Sequence, residues 1–278
     1  KSVFREAGVP DRGPKTWTEL KEWAPDLMKV KTKSGHPRVL AHHSIYASWY
    51  FQGNVWQWGA NYSEGLKMTF TDERVIEAGN WMVDFIRKDK AAYLSGTPDV
   101  DVQNGAALCL QSSTGSLRNL TELAKAADFE LGTTFLPEHE HFGCPTGGSG
   151  FGILAGSTKE RKQAAFEFIK FLGRPEKSAQ WTMETGYLPV VKAAQQVPAL
   201  VDLTRKDPNF GTALRQLPKT QPQDLARLIV SSGGEMMDSA LQQLYSSNLR
   251  VEDVFARLGK QLQSKADLIE ASYEAHYN

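Results

Sequence analysis

The amino-acid sequence is poor in the features that mark several large classes of protein. Its 32 basic and 32 acidic residues cancel, and it contains no run of lysine and arginine. This neutral balance argues against nucleic acid or an anionic membrane surface as the main partner. No apolar stretch approaches the roughly eighteen residues that a membrane-spanning helix needs. The chain opens without an initiator methionine or a signal-peptide pattern, as a processed or trimmed chain would.

Cysteine and the motifs of catalysis are equally scarce. Cys109 and Cys144 are the only cysteines, and they form either a disulfide or two separate buried thiols. The spacing of cysteine and histidine does not match a metal-ligand set, so we predict no metal and no cofactor. The sequence contains no Gly-x-Ser-x-Gly nucleophile elbow, and its paired carboxylates stand in polar loops. We therefore expect a protein that is not an enzyme.

Apolar side chains recur at helical intervals along much of the chain. One stripe predicts a helix capped by Thr16, and another predicts a helix capped by Thr71. The members of the two stripes are Trp17, Leu20, Trp23 and Leu27, and then Val75, Ala78, Met82 and Phe85. Residues 106–111 form an apolar run of strand length. Few strands between many helices predict an α/β fold.

The segment after Cys144 repeats this order of strand and helix. Residues 150–156 predict a short strand, and Ser157 with Glu160 has the spacing of a capping box. The helix that follows carries an apolar stripe that predicts a core face, and Gly173 ends it. The stripe consists of Ala165, Phe168, Ile169 and Leu172. A final helix is predicted over about 251–277, with Val254, Leu258, Leu262 and Leu268 on its apolar side.

The stretch YASWYFQGNVWQW, residues 46–58, contains six aromatic residues in thirteen positions. At helical spacing its rings divide between two sides, and we predict that one side is core and the other lines a binding cleft. A second candidate is the turn that begins at Ser113, where a strand runs into Ser-Thr-Gly and then a helix. Backbone N–H groups there suit a polar or anionic ligand atom, or they are satisfied by the serine cap alone.

Together these landmarks resemble the large extracellular solute-binding proteins of ABC importers, the class that includes maltose-binding and glycerol-3-phosphate-binding proteins. The matching phrases are FREAGVPDRGPKTWTELKEWA, SWYFQGNVWQWGA, NGAALCLQSSTGSLRNL and PTGGSGFGILAGSTKERKQAAFEFIKFLGRPEKSAQWTMETGYLPVVKAA. The resemblance covers nearly all of the chain. The last phrase is the most specific, and its TGYLPV.KAA ending looks most like the glycerol-3-phosphate-binding branch.

The resemblance implies a periplasmic-binding-protein-like (type II) fold of two lobes. Family members usually carry roughly a hundred or more residues before the part that matches Lys1, about the size of one domain. This chain therefore looks like a protein that lacks most of its N-terminal lobe. By analogy, residues 1–148 and 188–278 are the two parts of the C-terminal lobe. Residues 149–187 are then a strand and helix that return to the N-terminal lobe.

The resemblance also implies which residues contact the ligand. Ser113 matches a family serine whose hydroxyl binds ligand, and Gly148 matches a glycine whose backbone touches it. Tyr187 matches the tyrosine of the Thr-Gly-Tyr-Leu-Pro motif. Trp49 matches a cleft tryptophan, and Tyr46 stands where the closest relatives have another tryptophan. Such rings stack on the apolar face of a sugar or polyol while hydroxyl groups bond elsewhere.

One departure concerns the charge of the ligand. Glycerol-3-phosphate binders place an arginine late in the chain, where it pairs with the phosphate. Glu235 occupies that position here, and a carboxylate repels a phosphate unless Arg227 or Arg215 takes the role. This substitution favours a neutral sugar or a ligand with a cationic group.

The function implied by the resemblance is that of the ligand-binding subunit of an ABC importer. It captures a sugar, polyol or glycerophosphodiester in an interlobe cleft and delivers it to the membrane permease, in the periplasm or elsewhere outside the cytoplasm. A lipid anchor at a missing N-terminus fits the same role. Two alternatives stay open: a carbohydrate-active enzyme that uses the aromatic cleft, and a ligand-sensing module for a membrane receptor.

Overall fold

The computed structural model of this chain describes residues 1–277, with side chains described for residues 1–273. Its elements fall into two compact units. The first contains Lys1–Gln111, Leu136–Thr146 and the chain from Lys219 onward, and the second contains Ser112–Phe135 and Gly147–Pro218. Among the described residues, no helix combines the length and apolar character that a membrane crossing requires.

Helices greatly outnumber strands, as expected from the sequence. The strands are β1 (Arg38–His43), β2 (Ser63–Glu64), β3 (Lys67–Met68), β4 (Ala92–Ser95) and β5 (Ala107–Leu110). The helices are α1 (Ser2–Glu6), α2 (Trp17–Leu27), α3 (Ala47–Gln57), α4 (Glu73–Arg87), α5 (Pro98–Asn104), α6 (Leu117–Ala126), α7 (Lys159–Leu172), α8 (Pro175–Thr185), α9 (Pro198–Lys206), α10 (Pro208–Gln216), α11 (Leu225–Leu228), α12 (Gly233–Ser246) and α13 (Val251–Tyr277). Short 3₁₀ turns span Thr114–Ser116, Lys192–Gln196 and Leu217–Lys219.

The first unit is built on a three-stranded parallel sheet with the order β4-β1-β5. Leu40 of β1 pairs with Ala92 on one side and with Cys109 on the other. Strand β5 confirms the strand predicted over 106–111. Parallel strands joined by helices bury both faces of the sheet, and this arrangement is the α/β architecture predicted from the sequence.

Helix α3, which contains most of the aromatic stretch, lies in the core of the first unit. Phe51 and Val55 are 2% and 0% exposed, and Trp58 is 4% exposed. The Phe51 ring meets the rings of Tyr62 and Phe255 at centroid distances of 6.2 and 5.8 Å. Burial of these side chains stabilises the folded unit by about 1.5–3 kcal/mol for each fully buried large apolar side chain. The side with Phe51 and Val55 is therefore core, as predicted. The other side is not open along its length, because Trp56 is only 6% exposed and Gly53 is buried, so Trp49 is the partly exposed residue of that side.

A buried amide ties α3 to the segment Leu136–Thr146. Gln57 is 0% exposed; its Oε1 accepts a hydrogen bond from Trp17 Nε1 at 2.6 Å, and its Nε2 donates to the Gly143 carbonyl at 2.9 Å. The backbone of this segment passes so close to α3 that a Cβ atom added at Gly143 would lie 2.5 Å from the Gly53 carbonyl oxygen. A glycine is therefore needed where the two backbones cross.

The predicted helix starts are confirmed in one case and wrong in two. Thr16 caps α2, since its side chain accepts a hydrogen bond from the Glu19 amide. Helix α4 is capped by Asp72 rather than Thr71, and α7 is capped by Thr158 rather than Ser157. In both cases the adjacent residue has the extended backbone that places its side-chain oxygen on the N–H groups of the first turn.

The second unit differs from the prediction along residues 149–172. Residues 150–156 are not a strand, because no described strand lies beside them and an extended segment becomes a strand only by pairing. None of the α7 residues is buried, and Phe168 is 52% exposed. The predicted core face of α7 is therefore wrong within this chain. The proposed place of residues 149–187 in an N-terminal lobe stays a prediction.

The second unit has a small core, and its other helices contribute most of it. Its centre consists of three fully buried side chains: Ala179 of α8, Ala194 of the 3₁₀ turn Lys192–Gln196, and Leu200 of α9. The partly buried side chains of Met183, Val191 and Val197 pack against them. In the first unit the apolar side of α13 is confirmed for Val254, Leu258 and Leu262, but Leu268 is 71% exposed.

Candidate functional site

The first unit carries Tyr46 at the start of α3, in a conformation held by a distant carboxylate. Tyr46 has left-handed backbone angles (φ 59°, ψ 18°), and its side chain is 59% exposed. The two oxygens of Asp238 on α12 accept hydrogen bonds from the backbone N–H groups of Tyr46 (3.2 Å) and Ser48 (2.7 Å). Asp238 therefore caps α3 and holds the Tyr46 backbone with the ring free to contact a ligand.

Trp49 lies one turn further along α3 and is partly exposed. Its indole N–H donates to the Thr146 carbonyl at 3.3 Å, and its ring meets the edge of Tyr50 at 5.0 Å. The Tyr50 ring in turn stacks on His43 at 5.1 Å with an interplanar angle of 13°. Trp49 is thus held at its polar end, and part of the residue is accessible to solvent.

A chain of hydrogen bonds connects Trp49 to Arg227. The Thr146 carbonyl also accepts from Gln223 Nε2 at 2.7 Å, and Gln223 Oε1 accepts from Arg227. Arg227 Nε donates to the Ser48 hydroxyl at 3.1 Å, which itself donates to the Gly234 carbonyl at 3.3 Å. The guanidinium of Arg227 therefore lies against Ser48, the residue before Trp49.

Glu235 faces a different part of the first unit. It is exposed in the first turn of α12 and lines an open groove of about 360 Å³ between α12 and α13. Val254 and Leu258 form the apolar side of that groove, and Arg257 is at its edge. The carboxylate that contacts the start of α3 is instead Asp238, three residues later. Sequence reasoning missed Asp238 because its partners Tyr46 and Ser48 are about 190 residues away in the chain.

In the second unit, Ser113 and Tyr187 belong to two turns that are packed together. The Ser113 hydroxyl accepts a hydrogen bond from the Gly115 amide at 3.2 Å. The Tyr187 ring lies directly on Gly115, where an added Cβ would be only 2.4 Å from a ring carbon. Gly186, with φ 93°, lets the chain turn against Leu117 so that Tyr187 reaches this position. The phenol side chain remains 42% exposed.

Gly148, the third candidate in this unit, lies in an irregular segment. Its φ is 147°, and an added Cβ would meet no atom within 4 Å. The left-handed backbone excludes other residues for conformational reasons rather than for lack of space. Its predicted contact with a ligand stays a prediction.

Behind the Tyr50 ring, the carboxyl end of the sheet holds a small polar cavity. His42, His43, Gln111 and Tyr245 are among its lining residues. The Nε2 atoms of His42, His43 and Gln111 are buried and make no hydrogen bond to described residues. Burial, together with the charge of His43, lowers the pKa of His42 to about 4. Both imidazoles are therefore neutral near pH 7, since burial lowers the pKa of His43 as well.

The two cysteines are separate thiols rather than a disulfide. Burial raises the pKa of Cys109 to about 12 and that of Cys144 to about 11. Neither thiol ionises near neutral pH, so neither has the reactivity of a nucleophile. Among the described residues, no group of three or more His, Cys, Asp or Glu side chains is placed to hold a metal ion.

Comparison with known proteins gives a consistent result. A family model described as bacterial extracellular solute-binding protein matches residues 1–212. The sn-glycerol-3-phosphate-binding periplasmic protein UgpB of Escherichia coli K12 is 28% identical over 240 residues, which is 80% of this chain and 52% of that protein. The chain thus spans about half the length of the curated relatives it matches.

Solved structures extend the likeness to the fold. UgpB from Mycobacterium tuberculosis, in complex with glycerophosphocholine, matches with a TM-score of 0.89 and 33% identity. The match covers 96% of this chain and 67% of that chain. Maltose-bound MalE3 from T. maritima matches with a TM-score of 0.79 and 20% identity over 95% of this chain and 68% of the other, and this similarity supports the fold alone.

Proposed function

This chain belongs to the family of bacterial extracellular solute-binding proteins, and from that premise we propose that it is the ligand-binding part of an ABC importer. It captures a small polar solute outside the cytoplasm and presents it to a membrane permease. The solute classes that the similar proteins suggest are sugars, polyols and glycerophosphodiesters. We further propose that the chain acts by binding alone, which agrees with two protonated, buried thiols.

The observation that supports the proposal most is the placement of Trp49. Its N–H is bonded to a backbone carbonyl, so the ring loses little freedom when a ligand stacks on it. A rigid, partly exposed indole is suited to the apolar face of a sugar or polyol. The exposed ring of Tyr46, one turn earlier, provides a second such surface.

All six residues predicted from the sequence remain the proposed ligand contacts. Tyr46, Trp49 and Glu235 belong to the first unit, and Ser113, Gly148 and Tyr187 belong to the second. Within the second unit, the packing of Tyr187 on the Ser113–Gly115 turn supports a shared role for those two side chains. Within the first, the orientation of Glu235 towards α13 makes it the weakest of the six candidates.

We also propose that residues 149–187 pack against protein that lies outside the 278 residues. Helix α7 supports this, since Phe166, Phe168 and Phe171 are 50%, 52% and 39% exposed. An amphipathic helix is stabilised mainly by burial of its apolar face, and α7 buries none of its residues within this chain. A two-lobe protein would provide the missing layer.

The proposal is tested by replacing Trp49 with alanine and measuring solute binding. A thermal-shift screen of maltose, ribitol and glycerophosphocholine first identifies a ligand, and calorimetry then compares affinities. We expect Trp49→Ala to weaken binding by about 1–3 kcal/mol, the size of a lost aromatic contact, without loss of cooperative unfolding. The matched control is Trp181→Ala, which removes a 56% exposed ring outside the six candidates. Equal affinity for the wild type and Trp49→Ala would remove Trp49 from the site.

A further inference from the structure

The Tyr50 ring contacts two other rings, and only one of them belongs to a proposed ligand contact. Trp49 meets its edge at a centroid distance of 5.0 Å and an interplanar angle of 63°, and the imidazole of His43 lies flat against it at 5.1 Å and 13°. Both arrangements are favoured between aromatic rings and stabilise a pair beyond the burial of apolar area. Trp49, Tyr50 and His43 therefore form one continuous row of rings, which we call the aromatic row.

The inner end of the aromatic row is attached to the sheet. His43 is the last residue of β1 and pairs with Ser95 of β4. Its imidazole is hydrogen-bonded to the backbone of Gln111, the residue that follows β5. Its Nε2 atom makes no hydrogen bond to described residues, so this bond and the contact with Tyr50 define the orientation of the ring. Side chains on paired strands are placed more precisely than those on loops, and His43 is therefore a firm support for Tyr50.

The cavity behind Tyr50 leaves its ring little room to withdraw from Trp49. The volume of this cavity is about 10 Å³, enough for about one water molecule and far less than a phenol ring needs. Ala47 and Phe51, which also line it, are 5% and 2% exposed and belong to the core of the first unit. The indole of Trp49 is therefore restrained twice, by its contact with Tyr50 and by the hydrogen bond from its N–H to the Thr146 carbonyl.

We propose that Tyr50 and His43 are positioning residues, which hold the Trp49 ring in the orientation that stacks on a solute. This inference rests on the proposed function and adds to it two residues that act through Trp49 without touching the solute. A side chain that is already fixed in its bound orientation loses little freedom when the ligand arrives, and the affinity is higher for that reason. Loss of either ring should therefore weaken binding only as long as Trp49 is present.

The test is a double-mutant cycle on binding, measured by calorimetry with maltose, ribitol and glycerophosphocholine as probes. Tyr50→Leu removes the middle ring of the aromatic row, and Tyr50→Phe keeps that ring without the hydroxyl. His43→Gln removes the inner ring, and each variant is made both in the wild-type chain and in Trp49→Ala. The matched control is His42→Gln, since His42 lines the same cavity but packs against Tyr245, at a centroid distance of 5.2 Å, instead of Tyr50.

In the wild-type chain, Tyr50→Leu and His43→Gln should each weaken binding about twofold to tenfold, the range expected for the loss of one aromatic pair. Tyr50→Phe and His42→Gln should bind as the wild type does. In Trp49→Ala, neither Tyr50→Leu nor His43→Gln should weaken binding further. Full affinity of Tyr50→Leu, or equal losses with and without Trp49, would disprove the positioning role and leave the solute-binding function standing. Binding of no probe by the wild-type chain would overturn both.

A second measurement uses the unmodified chain and needs neither a variant nor a ligand. Nitrogen-15 relaxation gives the order parameter of each indole N–H group. The value for Trp49 should approach that of Trp17, which is 0% exposed and bonded to Gln57, and should exceed that of Trp181, which is 56% exposed. A Trp49 indole as mobile as that of Trp181 would show that the aromatic row does not restrain it.

Discussion

Acidification should destabilise the first unit through His42. This imidazole is 8% exposed and lies against Tyr245, at a ring-centroid distance of 5.2 Å. Its pKa falls from 6.5 to about 4, first because of burial and then because of the neighbouring His43. The unfolded chain therefore binds a proton more readily than the folded chain over this range. Stability from the neutral imidazole is complete above pH 6.5 and is lost as the pH falls towards 4.

The magnitude follows from the difference between the two pKa values. A fall from 6.5 to about 4 is about 2.5 pH units, and at about 1.36 kcal/mol per unit it corresponds to about 3 kcal/mol. This is a large share of the 5–15 kcal/mol that stabilises a typical domain, roughly a fifth to three fifths. The pKa of His43 is lowered as well, since burial outweighs the opposing charge of Asp99. Protonation of His43 therefore adds to the loss of stability at low pH.

Urea unfolding at intervals from pH 7 to pH 4 provides the assay, followed by tryptophan fluorescence. Six of the seven tryptophans belong to the first unit, so the signal reports mainly on that unit. His42→Gln removes the titrating group and should flatten the pH dependence of the unfolding free energy by most of the expected amount. His36→Gln, at an exposed histidine, should leave it unchanged. A wild-type free energy that is constant from pH 6.5 to 4.5, or an unaltered slope in His42→Gln, would refute the reasoning.

Two further substitutions test the packing that positions the candidate residues. Gly115→Ala places a methyl group 2.4 Å from the Tyr187 ring. It should lower the unfolding free energy by about 1–3 kcal/mol and weaken solute binding, measured by thermal melting and calorimetry. Gly152→Ala, where an added Cβ meets no atom within 4 Å, is its control, and equal effects of the two would contradict the packing. Gln57→Leu leaves the Trp17 N–H and the Gly143 carbonyl without partners, and urea unfolding should show a loss of about 2–3 kcal/mol. Exposed Gln180→Leu should cost little, and a fully stable Gln57→Leu would show that these bonds contribute nothing.

Local signals in the sequence predicted the elements that depend on a few neighbouring residues. The cap at Thr16, the apolar run of β5 and the stripe of α13 up to Leu262 are confirmed because each is decided within about one turn or one strand. The errors at Thr71 and Ser157 are shifts of one residue, the usual precision of a predicted boundary. The α/β fold follows from these elements together with the family resemblance.

Features that depend on contacts between distant residues could not be predicted from local sequence patterns. Residues 150–156 have the composition of a strand, but a strand also needs a partner, and the described chain provides none. The stripe of α7 is genuinely amphipathic, yet periodicity alone does not supply the surface against which it packs. The hydrogen bond from the Tyr46 amide to Asp238 joins two residues nearly 200 positions apart. No local sequence pattern predicts such a contact.

The two ends of the chain meet in one hydrophobic core. Val3 and Phe4 pack on the same cluster as Val251, Phe255 and Leu262, while the entire second unit is inserted between them. During synthesis, the apolar faces of the early helices of the first unit are therefore not fully covered until α13 has been translated. Translation proceeds at about 5–20 residues per second. Removal of α13 would therefore cost the unit part of its core rather than a peripheral helix.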